Sequence, residues 1–330
     1  MPVRRPPSTP ALAVALASAA LLLSACTADE PSASTAAVSA RPEVVTADVP
    51  MRTVLDDVAR GVTLPAEPQR VMVLNEELLD ATLMLGVEPV GISLGRDQPT
   101  AAAYLQDRKP DLTYLVNAGL PDAPDVGAVL TAEPDLVLAG DATTPEVLAG
   151  LEAIAPTYVA RVDGTEWTAT LHSVAEALGR EDRAATWLGG YDWRTQQVRQ
   201  QIADAGNAGR SVALVLWTAE GPVVLDETSF AARVAASVGL TPTGRTGGAP
   251  GPVVPVSAIP ASDRLFVFVR DALGVDGDAL EAAMASAEVR ALPAVAAGNV
   301  AVVDGSAWAT RGGPAAAHLV LDDLLAAFGA

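Results

Sequence analysis

The sequence predicts an α/β protein of two Rossmann-like lobes, each built on a mainly parallel sheet and joined by one long helix. Three observations predict it. Short apolar runs rich in β-branched residues alternate with stretches of helical period. That alternation occurs once in each half of the chain. The most helical part of the sequence lies between the halves.

The first half opens with Arg70-Val71-Met72-Val73-Leu74, a strand-like run reached through Pro68. Leu78, Leu79, Thr82, Leu83 and Leu85 then recur at helical spacing, and Gly86 ends the helix as glycine does just past a C-cap. Val87 to Ser93 begins the next strand. Asp135-Leu136-Val137-Leu138-Ala139, entered through Pro134, is another buried strand. Strands alternating with helices imply βαβ units and a parallel sheet.

Between the halves, Trp167, Leu171, Val174, Ala175 and Leu178 share one helical face, and Gly179 stops that helix. A second helix runs from about Glu181 to Ala203, with Ala184, Leu188, Tyr191, Val198 and Ile202 on its apolar side. A helix of that length spans roughly 30 Å, which suits a stiff connector. The second half repeats the plan. Ser211 to Trp217 is a strand, a helix runs from about Phe230 to Gly239, and Asp263 to Val269 answers the Asp135 strand.

The N-terminus carries an address. Arg4 and Arg5 precede an uncharged, mostly apolar stretch from Ala11 to Leu23. A permanent span needs ~20 apolar residues, so this shorter run reads as the core of a secretory signal. It ends Leu23-Ser24-Ala25-Cys26, which resembles the bacterial lipobox, where the chain is cut before the cysteine and its thiol carries diacylglycerol. Cys26 is the only cysteine, so no disulfide framework forms. Each buried acyl methylene adds ~0.8 kcal/mol of membrane affinity, and several chains together anchor firmly. Thr27 to about Ala47 is rich in Ala, Ser, Thr and Pro and reads as a flexible tether. The expected organisation is a cleaved leader over 1–25, a lipidated tether over 26–50, a first lobe over 51–180, a connecting helix over 181–205 and a second lobe over 206–330. The expected location is the outer face of the cell membrane.

Composition narrows the function. Forty acids against 21 Lys and Arg give a net charge of -19, which opposes binding to nucleic acid phosphates. Hydrophobic residues make up 50 % of the chain, ample for two cores.

In open α/β sheets, ligands bind beyond the carboxyl ends of the strands. That rule selects Asn75, Glu76 and Glu77 after the first strand, Arg96 after the second and Asp141 after the Asp135 strand. In the second lobe it selects Trp217 and Arg270, and past the Val300 strand Trp308 and Arg311. Glu76 and Glu77 have a second role open to them, at a helix N-terminus, where acids favour the dipole.

Several segments match one family pattern in order. They are Pro68 to Leu74 followed by Leu83 to Gly91, Glu133-Pro134-Asp135-Leu136-Val137-Leu138, Leu151 to Thr157, and Ala177-Leu178-Gly179-Arg180-Glu181. Near the end come Leu292-Pro293-Ala294-Val295, Val300 to Asp304, and Trp308 with Gly312-Gly313-Pro314. From about Pro65 to Ala330 the chain resembles the substrate-binding lipoproteins of ABC importers for ferric siderophores, haem and cobalamin. The resemblance implies a monomer with a ligand cleft between its lobes, no cofactor and no chemistry of its own. It also implies delivery of a small-molecule chelate to a membrane permease driven by a cytoplasmic ATPase. A ferric siderophore presents iron-bound oxygens of partial negative charge. Arg96, Arg270 and Arg311 would donate to them, and Trp217 and Trp308 would cover the ligand body.

One position departs from the family. Its members carry an exposed docking glutamate on each lobe, and at the first of these stands Gly127, with Asp125 the nearest acid. Val256 to Pro260, the second, holds no acid. Either docking uses other acids or the partner is not the usual permease, and an anchored sensing protein is then the alternative. Two further readings belong to other classes. Gly91-Ile92-Ser93-Leu94-Gly95 satisfies the G-x-S-x-G pattern of a serine hydrolase, with Ser93 as nucleophile. A free transition-metal binder would need clustered histidines, and the chain has only His172 and His318, far apart in sequence.

Overall fold

The computed structural model describes residues 49–95, 100–162, 166–244, 251–270, 274–308 and 312–329. Cys26 with the leader and tether, Arg96 and Arg311 lie outside them. Asp48–Ala330 forms one compact unit.

That unit opens with an antiparallel hairpin of β1 (Met51–Leu55) and β2 (Gly61–Pro65). Next come β3 (Val71–Val73), α1 (Glu76–Met84), β4 (Gly91–Ile92), α2 (Ala103–Arg108) and β5 (Val116–Asn117). A small hairpin, β6 (Gly119–Leu120) and β7 (Ala123–Pro124), leads into α3 (Val126–Thr131), β8 (Leu136–Gly140), α4 (Pro145–Glu152) and β9 (Thr157–Ala160). The sheet order is β5-β4-β3-β8-β9, with every neighbouring pair parallel. Strand side chains alternate between two cores. Val71, Val73, Leu136 and Leu138 enter one, while Met72, Val137 and Ala139 enter the other.

Then come α5 (Trp167–Leu178) and the connector α6 (Glu181–Asp204). Gly179 separates them at φ +64, and a Cβ there would stand 2.5 Å from the Ala66 carbonyl oxygen. Only glycine accepts both the left-handed backbone and that approach. The buried residues of α6 are Ala184, Tyr191, Val198 and Ile202, four of the five expected, with Leu188 half-buried.

The second lobe contains β10 (Ser211–Thr218), β11 (Gly221–Val224), α7 (Phe230–Ser237), β12 (Thr241–Pro242) and β13 (Arg264–Phe268). It ends with α8 (Val275–Ala285), α9 (Ala287–Arg290), α10 (Pro293–Ala296), β14 (Val300–Val302), α11 (Gly305–Trp308) and α12 (Pro314–Phe328). Its sheet order is β11-β10-β13-β14, with β12 also paired to β10 and only β11 antiparallel.

The two sheets share a device at their entry edge. Asp135, just before β8, accepts from the backbone N–H groups of Gln69 at 2.8 Å and Arg70 at 2.9 Å, just before β3. Asp263, just before β13, accepts from the N–H of Ser211 at 2.7 Å at the start of β10. The Ser211 backbone and hydroxyl and the Arg210 guanidinium pull Asp263 down to about 2. The Asp135 and Asp263 strands therefore correspond, as the sequence predicts.

The lobes meet through helices. α1 of the first lobe packs on α12, and α12 also packs on α6 and α7. Glu166, at the head of α5, accepts from Arg233 of α7 at 3.0 Å. Arg194 of α6 pairs with Asp322 of α12 at 2.6 Å. Trp167, Trp187, Tyr191 and His318 form a ring cluster where α5, α6 and α12 join. Burial lowers the pKa of His318, since the rings around it disfavour the charged imidazolium.

Candidate functional site

The carboxyl ends of the first sheet are marked by Asn75, Ser93, Asn117, Asp141 and Arg161. Those of the second are marked by Thr218, Arg270 and Asp304. α2, downstream of β4, packs against α11, downstream of β14. The segments that leave these strand ends thus meet across the lobe boundary.

Asn75 is the N-cap of α1, and its side-chain oxygen accepts from the Glu77 N–H at 2.8 Å. That bond satisfies one of the helix's orphan donors. Glu76 Oε1 accepts from the Ala102 N–H at 2.9 Å, which draws the segment before α2 onto the start of α1. Asp141 is exposed, and its Oδ1 accepts from the Val162 N–H at 3.2 Å, which links the ends of β8 and β9. Arg270 is exposed at the end of β13, and its guanidinium has no ion pair among the described residues.

Both tryptophans expected to cover the ligand are buried. Trp217 is 5 % exposed and belongs with Val215, Val224, Ile259 and Leu265 in the core on one side of the second sheet. Strand alternation puts Trp217 on that side together with Val215. Trp308 is 1 % exposed, stacks on Phe266 at 4.8 Å and donates its indole N–H to Asp323 at 2.8 Å. A strand-end position does not specify which way the ring points, and for these two the apolar core took it.

Arg161 was missed. It follows β9 directly, is exposed, and its guanidinium makes no ion pair among the described residues. Beside it lies a cavity of about 200 Å³ lined by Asp57, Arg161, Glu166, Ala169, Thr170 and Ser173. Because Glu166 is bonded to Arg233, this cavity borders the junction of the lobes. The strand-end rule reaches Arg161 once Thr157–Ala160 counts as a strand. The run Thr157-Tyr158-Val159-Ala160 carries that signal.

Ser93 is buried, and its Oγ has no hydrogen-bond partner among the described residues. Activation of a serine nucleophile requires a base in hydrogen-bond reach. The residues after it run through Gly95 without entering a helix, which the nucleophile-elbow geometry requires. His318 belongs to the ring cluster, and His172 is exposed on α5. Among the described residues no three His, Cys, Asp or Glu side chains cluster as a metal site.

At the expected docking position Gly127 is exposed in the first turn of α3. Asp125 caps that helix, accepting from the N–H groups of Gly127 at 2.8 Å and Ala128 at 3.2 Å. In the second lobe Val256–Ala258 is a short 3-10 turn.

Comparison with known proteins agrees with this architecture. The chain is 29 % identical over 324 residues to the probable siderophore-binding lipoprotein YfiY of Bacillus subtilis strain 168, covering 93 % of this chain and 94 % of that protein. It is 24 % identical over 210 residues to the Fe(3+) dicitrate-binding periplasmic protein FecB of Escherichia coli K12, covering 63 % and 68 %. Among solved structures, Staphylococcus aureus SirA complexed with staphyloferrin B superposes with a TM-score of 0.68 at 22 % identity, over 83 % of this chain and 97 % of that one. Bacillus subtilis FeuA complexed with ferri-bacillibactin gives 0.67 at 17 % identity, over 84 % and 98 %. The periplasmic binding protein family profile matches residues 71–307, from the first strand of the first parallel sheet to α11. With both lobes, the connector and this match in hand, the chain belongs to the periplasmic binding protein family.

Proposed function

We propose that this chain is an exported, lipid-anchored solute-binding protein that captures a ferric siderophore between its lobes and delivers it to an ABC permease. The observation that carries this reading is the likeness, across 93 % of the chain, to a probable siderophore-binding lipoprotein. The cleft chemistry supports it. Arg161 and Arg270 bring guanidinium groups without an ion pair among the described residues to strand ends on either lobe, and Arg96 and Arg311 follow two further strands in sequence. Guanidinium donors match the partly negative oxygens around ferric iron and remain charged at any physiological pH. Asn75 and Asp141 contribute polar edges. The protein binds and releases and performs no bond chemistry.

Delivery to a permease is part of the proposal, with docking through carboxylates other than the usual pair. Asp125 already caps α3, and Gly127 offers no charge. The same observation favours a second reading, an anchored binder that senses the chelate without handing it on. Growth with the siderophore as sole iron source separates them. Deleting an importer's binder stops growth, and deleting a sensor's does not.

A thermal-shift panel of hydroxamate, catecholate and carboxylate ferric chelates, with haem and cobalamin, tests the ligand class. At one hundred times Kd a ligand adds about 2.7 kcal/mol to stability, a readily measured shift. At least one ferric siderophore is expected to raise the melting temperature. Arg270→Ala should weaken that ligand about tenfold or more, as loss of a charged hydrogen bond does, while Arg290→Ala leaves it unchanged. A flat response to every ferric chelate refutes the proposal.

A further inference from the structure

A single buried carboxylate grips one lobe's last helix from the other lobe. Asp80 lies on α1, which starts at the cleft with Asn75, and it is fully buried. Its Oδ1 accepts from the Ala315 N–H at 2.8 Å, and its Oδ2 accepts from the Ala316 N–H at 3.1 Å. The Tyr104 hydroxyl, on α2, donates to Oδ2 at 3.1 Å. Pro314 opens α12 and has no N–H, so the carboxylate takes the first two amide donors the helix offers. The positive end of the helix dipole reinforces the grip.

The approach is close by construction. A Cβ on Gly313 would stand 2.4 Å from Asp80 Oδ2, so a larger residue there would push the helix tip off the carboxylate. The far end of α12 is fixed in the second lobe. Asn207 donates to the Phe328 carbonyl at 2.8 Å, and the Phe328 ring lies 6.3 Å from that of Phe266 on β13. Midway, Asp323 accepts the indole N–H of Trp308. α12 is thus a lever, rooted in one lobe and held at its tip by the other.

We propose that Asp80 is a positioning residue for ligand capture, which sets the separation of the lobes, and so the width of the cleft, by gripping the tip of α12. The assignment rests on the interlobe cleft being the ligand site, but its test needs no ligand. Three donors converge on this point, and a carboxylate accepts all three while presenting no donor of its own. An apolar residue would leave the two N–H groups orphaned, and an asparagine would aim an NH₂ at one of them.

The test measures the distance between lobes. In the full chain carrying Cys26→Ser, spin labels are placed by Asp122→Cys and Glu220→Cys, both exposed at hairpin turns, one on each lobe. Pulsed dipolar spectroscopy should return one narrow distance distribution with Asp80 present. Asp80→Ala should at least double its width or shift its centre, and amide exchange at Ala315 and Ala316 should rise tenfold or more. Asp80→Asn, close in size and certain to keep one acceptor, should fall between, and it carries the test if the alanine variant does not fold. An unchanged distribution in a folded variant overturns the proposal, even with a lowered melting temperature, because that outcome makes Asp80 merely structural. Failure of the siderophore reading would appear separately, as a flat chelate panel with the distances unaffected.

Discussion

Asp80 carries its carboxyl group in a fully buried position. Burial raises its pKa from 3.8 to about 6, outweighing the Ala315 and Ala316 N–H bonds and the Tyr104 hydroxyl that pull it down. Its folded-state value exceeds the ordinary one, so the folded chain binds this proton more tightly than the unfolded chain. The stability it contributes is fully present below pH 3.8 and is lost as pH rises through about 6. Asp80→Asn cannot titrate. The unfolding free energy of the variant minus that of the parent should therefore climb between pH 4 and pH 7, by on the order of 2–3 kcal/mol. Urea unfolding across that range measures it, and a difference independent of pH would show that Asp80 is not strained by its charge. Single residues were also where the sequence was least legible. Trp217 and Trp308 end up in the core and Arg161 at the surface. A strand-end position is a statement about the backbone, and burial of a ring depends on which sheet face its neighbours cover.

At the scale of elements, period carried most of the information. The spacing of Leu78, Leu79 and Leu85 locates α1, and that of Ala184, Tyr191, Val198 and Ile202 locates the connector. Both faces are wide enough to survive a few polar interruptions. The short strands were harder. Val87 to Ser93 reads as one strand, yet only Gly91–Ile92 pairs in the sheet, and β1–β2 and β6–β7 carry no clear strand signal in the sequence. β1 alternates exposed and half-buried residues around polar Arg52 and Thr53, so its period-2 signal is faint. The paired Asp135 and Asp263 hydrogen bonds make the internal repeat physical. Each fastens the start of a strand to the start of the first strand of its five-stranded sheet. Asp135→Ala and Asp263→Ala should each cost about 1–3 kcal/mol of stability, the usual range for bonds to a charged acceptor. The Asp263 contribution is present above the ordinary carboxylate value of 3.8 and is lost as pH falls through about 2, so its effect should persist at pH 5. Equilibrium unfolding of the two variants checks both statements. A cost confined to one of them would break the correspondence between the lobes.

For the molecule as a whole, the two-lobe architecture was legible because it repeats a simple grammar twice around an unmistakable connector. The family pattern then supplied the cleft. The N-terminal address rests on Cys26 and its flanks. Cys26→Ser is expected to release the protein from the membrane fraction and abolish incorporation of labelled palmitate, and unchanged fractionation would refute the anchor. The ligand's identity was not legible, since arginines at strand ends suit many anionic chelates. The most direct test of the central claim is a crystal structure of the full chain with the best ferric siderophore from the panel, with iron located by anomalous scattering. One iron peak is expected between the lobes, within reach of the Arg270 side of the second sheet and the Asn75 side of the first. An iron peak on the outer surface of a single lobe would contradict it.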